Sequence, residues 1–547
     1  MTTAPPSTAF DAPGPGQWTL DRSHFPGATT PITEWLITDS MGAGMERVFA
    51  DVGVPADRIE ARFVHGFMYT RLVPLIGGDR PPPKRLPPAL VLKVATRVHP
   101  AFRARTKAAE RSLTARAFVD VVRDWEQTTR PRLVARNREL QAVDVETIDD
   151  AALDAHVGDL LDQLLENLTL HFELHGHDLG PIARYLHAAI GWGLDPSAAT
   201  DALAGASPST ARPVVRLAEI RRIVETSGAD VRTLDDVRAV SPEAAALVDE
   251  HLEEYGNVLA TGYDITAFTL AEMPGVLLSG IRTAEVPTGE DGAATAAALR
   301  AQVPPEARVE FDELLADARS VMDMRDDNGP QTVEWPTGLL RRALMVAGRR
   351  LADRGSLFEA DHALELTPQE ARTALTGALP SPDEIEERSR TRLAQLGFDP
   401  PALLGPDEPE PPLDVMPAPL AEMVATVQTA LAHLGMDGAS TNDPYVGVGI
   451  GQEPYTGRAR TADTADEAIE KLEPGDVLVV RATSPAFNAV LAVAGAVVTA
   501  NGGALSHAAV LARELGISAV VGAAGAPAIP DGAMVTVDPL AGRVSVS

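Results

Sequence analysis

The sequence predicts a multidomain chain in which a mainly α-helical N-terminal region precedes a small C-terminal α/β domain. Three observations carry that reading. From about Trp18 to about Leu403 the apolar residues recur mostly at helical steps. At Phe398–Leu420 (FDPPALLGPDEPEPPLDVMPAPL) prolines recur every few residues among acidic ones. After about Asp443 short Val-rich runs alternate with helical ones. The implied boundaries are an arm at 1–17, a helical region at 18–397, a Pro-rich linker with a short helix at 398–442, and the α/β domain at 443–547.

The elements follow in chain order. The opening MTTAPPSTAFDAPGPGQW has no basic start and no apolar run. It reads as a flexible arm rather than an export signal. Phe102–Val122 carries arginines among scattered apolar residues and reads as a helix. Leu153–Leu174 has leucines at three- and four-residue steps, and Gly176 and Gly180 mark its expected end. Leu339–Leu351 has the same helical character. The prolines of 398–420 forbid a continuous helix, since each removes a donor and clashes with the preceding turn. That stretch reads as a semi-rigid extended linker, followed by a helix at Ala421–Leu434. Strands are expected at Asp476–Val480, Val497–Ala500, Ile517–Val521, Met534–Val537 and Arg543–Val546.

Composition narrows the function. The 547 residues hold 47 basic and 77 acidic side chains, a net charge of −30. Such a surface repels phosphate backbones and anionic headgroups, so neither nucleic acid nor membrane is an expected partner. Cysteine is absent, which excludes disulfides, thiol nucleophiles and thiolate metal sites and suits a reducing cytoplasm. The lysines are Lys84, Lys93, Lys107 and Lys471, none of them preceded by glycine. The chain therefore has no P-loop. The longest mainly apolar run, Ala489–Ala500, is too short to span a bilayer, and a cytoplasmic location is expected.

The chemistry concentrates in Val497–Gly522, VVTANGGALSHAAVLARELGISAVVG. A strand runs into the tight loop Asn501-Gly502-Gly503. Ser506 is a good N-cap, Ala508–Leu515 a helix of strong formers, and Gly516 its closing residue. His507 then sits in the first turn. An imidazole nitrogen is a nucleophile near neutral pH, and first-turn N–H groups with the helix dipole favour a phosphate there. A capping-region histidine without chemistry is the alternative from local physics.

GGALSHAAVLARELGISAVVG closely resembles the signature of the phosphohistidine swivelling domain of phosphoenolpyruvate-utilising enzymes. GDVLVVRATSPAFNAVLAVAGAVVT resembles that domain's entry and DGAMVTVDPLAGRVSV its end. The resemblance covers about Tyr445–Ser547 and implies a swivelling β/β/α fold. It implies that His507 is phosphorylated, with Gly502, Gly503, Ser506, Thr483 and Arg513 supporting it or its phosphate. Such domains usually accompany an ATP-grasp domain, which the lysine-poor helical region does not resemble, and the barrel domain of phosphoenolpyruvate-forming members is not expected in this chain.

Further pieces resemble the acceptor-substrate domain of the rifampicin phosphotransferase family. They are Trp18, Asp21-Arg22-Ser23-His24-Phe25-Pro26, Pro31, Gly66, Tyr69, Tyr255-Gly256, Tyr263-Asp264-Ile265, Met324-Arg325-Asp326, Asp361 and Leu366-Thr367. By resemblance Arg325 and Asp326 lie near the transfer site. Asp326 replaces a glutamate of the relatives, and Gly329 stands where a basic residue is common. The second departure argues against rifampicin as acceptor. His24, His65, Tyr69, His171 and His175 are acceptor-region candidates.

Together these features imply a phosphotransferase component. A separate ATP-grasp partner would supply the phosphoryl group, converting ATP to AMP and phosphate with Mg²⁺ on the partner. The acceptor would be a small hydroxyl or phenolic molecule, as in phenylphosphate synthase-type subunits. No organic cofactor and no metal site are expected on this chain. Two alternatives stand beside this reading. One is a metal-dependent hydrolase using His171, His175 and His177, the first two sharing a helical face. The other is a non-catalytic relic or binding subunit. The pairs Arg341-Arg342 and Arg349-Arg350 read as solvated or ion-paired rather than phosphate-binding.

Overall fold

The computed structural model describes all residues except 1–8, 23, 26, 79, 84, 285–291, 435–442, 452, 463–464, 484–486, 492 and 505. The chain divides into two compact units. The first comprises Met1–Arg116, Asp144–Glu173 and Leu340–Val424; the second comprises Ala117–Val143, Leu174–Leu339 and Ala425–Ser547. The helical region therefore contributes to both units, a division that its uniform periodicity did not reveal. Among the described residues no helix is long and apolar enough to cross a membrane.

The first unit contains a sheet that the helical reading missed. Strands β1 (Trp18–Leu20), β2 (Ala56–Val64), β3 (Phe67–Pro74) and β4 (Leu403–Leu404) line up in the order β2-β3-β1-β4, and all its pairings are antiparallel. His65 (φ 52°) and Gly66 (φ 77°) form the two-residue turn between β2 and β3. Two successive left-handed residues match the right-handed twist of a hairpin. Trp18, Phe67, Tyr69 and Leu404 form one buried cluster on this sheet.

The expected linker is built into this unit at its start. β4 pairs with β1, Tyr69 donates from its hydroxyl to the Pro401 carbonyl at 2.7 Å, and Val415 is fully buried. The arm is also anchored from Phe10 onward. Phe10 meets Phe67 and Phe398 edge-on or tilted, and Gln17 donates to Asp407 at 3.0 Å. Prolines remove donors but leave carbonyls free to accept, and here those carbonyls are used. The helix after this stretch spans Ala418–Leu434. The last residues of the expected linker, 435–442, lie outside the described residues.

Two helices also depart from expectation. The leucine-rich helix runs from Asp150 to Gly191, straight through Gly176, Gly180 and Pro181. Ile182, Tyr185, Leu186 and Ala189 continue its apolar stripe into a buried cluster with Phe311 and Val321. Burial of that stripe outweighs the local cost of the glycines and proline. The stretch Phe102–Val122 is split: one helix covers Pro100–Thr114, Ala115 is extended, and a second helix begins at Phe118, which enters the same cluster. Leu339–Leu351 falls within the helix Trp335–Asp353.

The C-terminal domain lies in the second unit. Its strands are β5 (Val448–Ile450), β6 (Tyr455–Ala462), β7 (Val477–Val480), β8 (Ala496–Thr499), β9 (Ser518–Val521), β10 (Met534–Asp538) and β11 (Arg543–Val546). They form a seven-stranded sheet in the order β11-β10-β6-β7-β8-β9-β5. β6 to β9 are parallel, while β5, β10 and β11 are antiparallel additions. β7 and β8 are buried along their whole length, which is why they read as unbroken Val-rich runs. β5 and β6 were missed, having Gly and Arg in place of such runs.

Candidate functional site

The loop ends of the parallel strands build the first half of the site. β7 leads toward Thr483 and β8 into Asn501-Gly502-Gly503, so both emerge at the C-terminal edge of neighbouring parallel strands. This is the edge at which open parallel sheets gather ligand-binding loops. The Asn501 N–H donates to the Arg481 carbonyl at 2.7 Å. Gly502 has φ 117°, and a Cβ there would meet the Ser506 Oγ at 2.9 Å. The positive φ is what favours glycine there, while Ser506 could turn aside for a Cβ. Ser484 and Pro485, which follow Thr483 in the expected entry motif, lie outside the described residues.

The helix following that loop spans His507–Leu515 and closes at Gly516 (φ 67°), so His507 is its first residue. Ser506 occupies the N-cap, but its side chain makes no capping hydrogen bond. The expectation of a conventional serine cap is corrected here: the Oγ is buried without a partner. Arg513 is partly buried. Its Nη1 donates to the Ala504 carbonyl, and its Nε pairs with the Asp201 carboxylate.

That ion pair joins the C-terminal domain to helical elements of the same unit. The His507–Leu515 helix also packs against the helix Pro208–Ser227. The first turn of Pro208–Ser227 in turn holds two carboxylates of the helix Arg308–Gly329. Ser209 N–H donates to Asp323 at 2.8 Å, and the Thr210 hydroxyl to Asp326 at 3.1 Å. Arg325 Nη1 lies 3.8 Å from Asp326 Oδ1. Burial pushes the Asp326 carboxyl above its ordinary range, opposed by Arg325 and by hydrogen bonds from Ser207 and Thr210. One short path thus links the His507 helix, Pro208–Ser227 and the Arg325–Asp326 pair.

Sequence reasoning missed one acidic neighbour. Glu334 closes a π-helical turn, Pro330–Glu334, which directly continues the Arg308–Gly329 helix. Its carboxyl is buried, Oε1 has no partner, and burial raises its pKa to about 8. A Cβ on Gly329 would come within 3.1 Å of that oxygen. The Gly329 position, noted in the sequence only as a departure from relatives, is the bare floor beside this carboxyl.

The remaining candidates lie elsewhere. His24, His65 and Tyr69 are in the first unit. His24 Nδ1 contacts Asp21 at 2.8 Å, and that carboxylate raises the imidazole pKa. The His65 Nε2 contacts the Ala9 carbonyl at 2.9 Å, and its ring meets Phe10 and Phe398 edge-on. Those two phenylalanines, with Asp399 and Pro401, line an open cavity of about 430 Å³. Burial pushes Tyr69 up to about 12, in keeping with a structural hydroxyl. His171 sits edge-on to Phe172, and His175 contacts Asp178 at 3.2 Å. Among the described residues no group of three or more His, Asp or Glu is placed to hold a metal ion. Arg349 pairs with Glu146, and Arg350 with Asp150 at 3.1 Å.

Residues 472–542 match the model of the PEP-utilising enzyme mobile domain. The C-terminal domain is a mobile domain of the phosphohistidine, PEP-utilising type. The whole chain is similar to part of chondramide synthase cmdD of Chondromyces crocatus, 26% identical over 97% of this chain. It is similar to the uncharacterized phosphotransferase YvkC of Bacillus subtilis, 28% identical over 44% of this chain. It is also similar to phosphoenolpyruvate synthase of Aeropyrum pernix, 49% identical over 15% of this chain. The chain spans only 14%, 28% and 10% of those three proteins. The matched range contains the Gly-Gly loop and His507, and one of the three relatives is named a phosphotransferase and another a phosphoenolpyruvate synthase.

Proposed function

We propose that this chain is a phosphotransferase component. His507 of the mobile domain takes a phosphoryl group from a separate ATP-binding protein, where Mg²⁺ accompanies the nucleotide and ATP becomes AMP and phosphate. It then passes the group to a small hydroxyl or phenolic acceptor held among the helices, in the cytoplasm. One observation carries this reading: the helix that starts at His507 shares a neighbour, Pro208–Ser227, with the Arg325–Asp326 pair.

The chemistry follows from those groups. A phosphohistidine splits one difficult transfer into two easier ones. In the second step the N–P bond breaks, an O–P bond forms, and the acceptor hydroxyl loses its proton. Asp326, held above the ordinary carboxylate range, is a stronger base than an exposed aspartate and takes that proton. Arg325 offsets negative charge on the transferring group. The uncapped Ser506 position leaves the first turn of the helix to an anion.

The reading is tested with β-labelled ATP and an ATP-binding partner that forms AMP. Wild type is expected to acquire acid-labile label, and His507→Ala to acquire none. An unlabelled wild-type chain beside a partner that still turns over ATP would overturn the reading in favour of a binding subunit.

A further inference from the structure

The helix Pro196–Asp201 ends on an aspartate. A carboxylate is out of place at a helix C-terminus, where the dipole already leaves partial negative charge. Asp201 therefore does not stabilise the helix it closes. Its carboxylate instead accepts from Arg513 Nε, on the helix that starts at His507. The Asp201 side chain is 37% exposed and that of Arg513 8%. Arg513 also donates from Nη1 to the Ala504 carbonyl, in the loop that leads to His507.

Asp201 is set firmly against the helix that carries Arg325 and Asp326. Ala199, Ala202 and Leu203 enter the buried cluster that Leu315, Val321 and Met322 of Arg308–Gly329 also line. Arg319 Nη1 donates to the Ala202 and Ala204 carbonyls at 2.7 and 3.0 Å, and so clamps the turn after Asp201. Arg319, Asp323 and Asp326 follow one another at steps of four and three residues, on one face of Arg308–Gly329. That face holds the Asp201 turn through Arg319, and the first turn of Pro208–Ser227 through Asp323 and Asp326. The mobile domain meets both. Arg513 pairs with Asp201, β5 lies beside Pro196–Asp201, and the His507 helix packs on Pro208–Ser227. A third contact sets Asn488–Leu491 of the mobile domain on the helix Pro274–Thr283.

We infer that Asp201 is the latch that seats the mobile domain for delivery to the acceptor. It is a positioning residue: it acts through Arg513 and touches neither the phosphoryl group nor the acceptor. The inference rests on the phosphotransfer reading and adds to it. Packing of short helices supplies contact area, whereas a charge pair across a contact fixes register and partner choice. Here the anion is fixed to the Arg325–Asp326 helix and the cation travels with His507. Delivery needs that pairing, and loading from a separate ATP-binding protein does not.

The test compares wild type with Asp201→Ala, Asp201→Lys and Asp201→Glu. Each is loaded from β-labelled ATP by the ATP-binding partner, then chased with phenol in a single turnover. All four chains are expected to load equally. Asp201→Ala should release the label as ester about tenfold more slowly than wild type, Asp201→Lys more slowly still, and Asp201→Glu at close to the wild-type rate. The phenol concentration that gives half the maximal rate should not change, because the acceptor site is intact. The unfolding midpoint should not change either, because the Asp201 side chain is partly exposed. Hydrogen exchange across 507–516 should quicken in Asp201→Ala and Asp201→Lys, a readout that needs neither partner nor acceptor. If phenol discharges none of the chains, that exchange decides alone. Asp201→Ala that discharges at the wild-type rate, that loads as slowly as it discharges, or that leaves the exchange unchanged overturns the latch while the phosphotransfer reading stands. Wild type that never loads, beside a partner that still turns over ATP, overturns that reading and the latch with it.

Discussion

The two sheets of this molecule are built on opposite plans. The seven-stranded sheet draws every strand from Val448–Val546, and its central β7 and β8 are buried aliphatic runs. The four-stranded sheet is closed by β4, which reaches β1 from 386 residues away along the chain, Leu404 opposite Trp18. It also buries Arg71, which lies 3.6 Å from Glu408. A sheet made from one contiguous stretch needs no strand from elsewhere in the chain. A sheet that stitches residues near 18 to residues near 404 fixes the chain on both sides of the helical region.

The largest expected effect tests that stitching. Trp18→Ala removes a fully buried ring from the β1–β4 cluster and should cost about 3–5 kcal/mol. Limited proteolysis should then cut within 398–417 while the 443–547 domain keeps its protection. If both regions become sensitive together, the sheets are not independent and the contrast fails.

A next effect concerns charge in the second unit. Glu334 has a folded pKa of about 8 against an ordinary value of 4.5. The folded state therefore holds the proton more tightly than the unfolded state, and stability falls as pH rises between those two values. Glu334→Gln should flatten that slope and stabilise the protein at pH 8 by a few kcal/mol. Unfolding midpoints at pH 5 and 8 check this; an unchanged slope would mean that the carboxyl is solvated.

A smaller effect sharpens the tether. Tyr69→Phe deletes the hydroxyl that holds the Pro401 carbonyl and should cost about 1 kcal/mol. Hydrogen exchange at 403–405 should quicken, with no change at β7 or β8.

The same contrast explains what the sequence disclosed. Three of the four parallel strands, β7, β8 and β9, are short, buried and aliphatic and were readable, as were the Val-rich β10 and β11, and the strand–Gly-Gly–helix order around His507 was readable with them. The hairpin β2–β3 was legible in principle, because alternating residues flank the pair His65-Gly66. Its charged outer face, with Arg58, Glu60 and Arg62, masked the apolar side. Gly176, Gly180 and Pro181 carried a local stop signal that a distant core, Phe311 and Val321, overrode. Arg325 and Asp326 were found through resemblance, while Glu334 was not, because a buried unpaired carboxyl has no signature in one dimension. The proline-rich stretch misled for a related reason: its tertiary partners, Tyr69 and β1, lie more than 300 residues away.

The account's central claim is that His507 discharges at the Arg325–Asp326 pair. It is tested most directly by loading the chain with labelled phosphoryl groups and chasing with phenol and other hydroxyl acceptors. Wild type and Asp326→Asn are both expected to load, and only wild type to release the label as an acid-stable ester, with the variant slower by about 10²–10⁴-fold. Discharge of Asp326→Asn at the wild-type rate would contradict the claim.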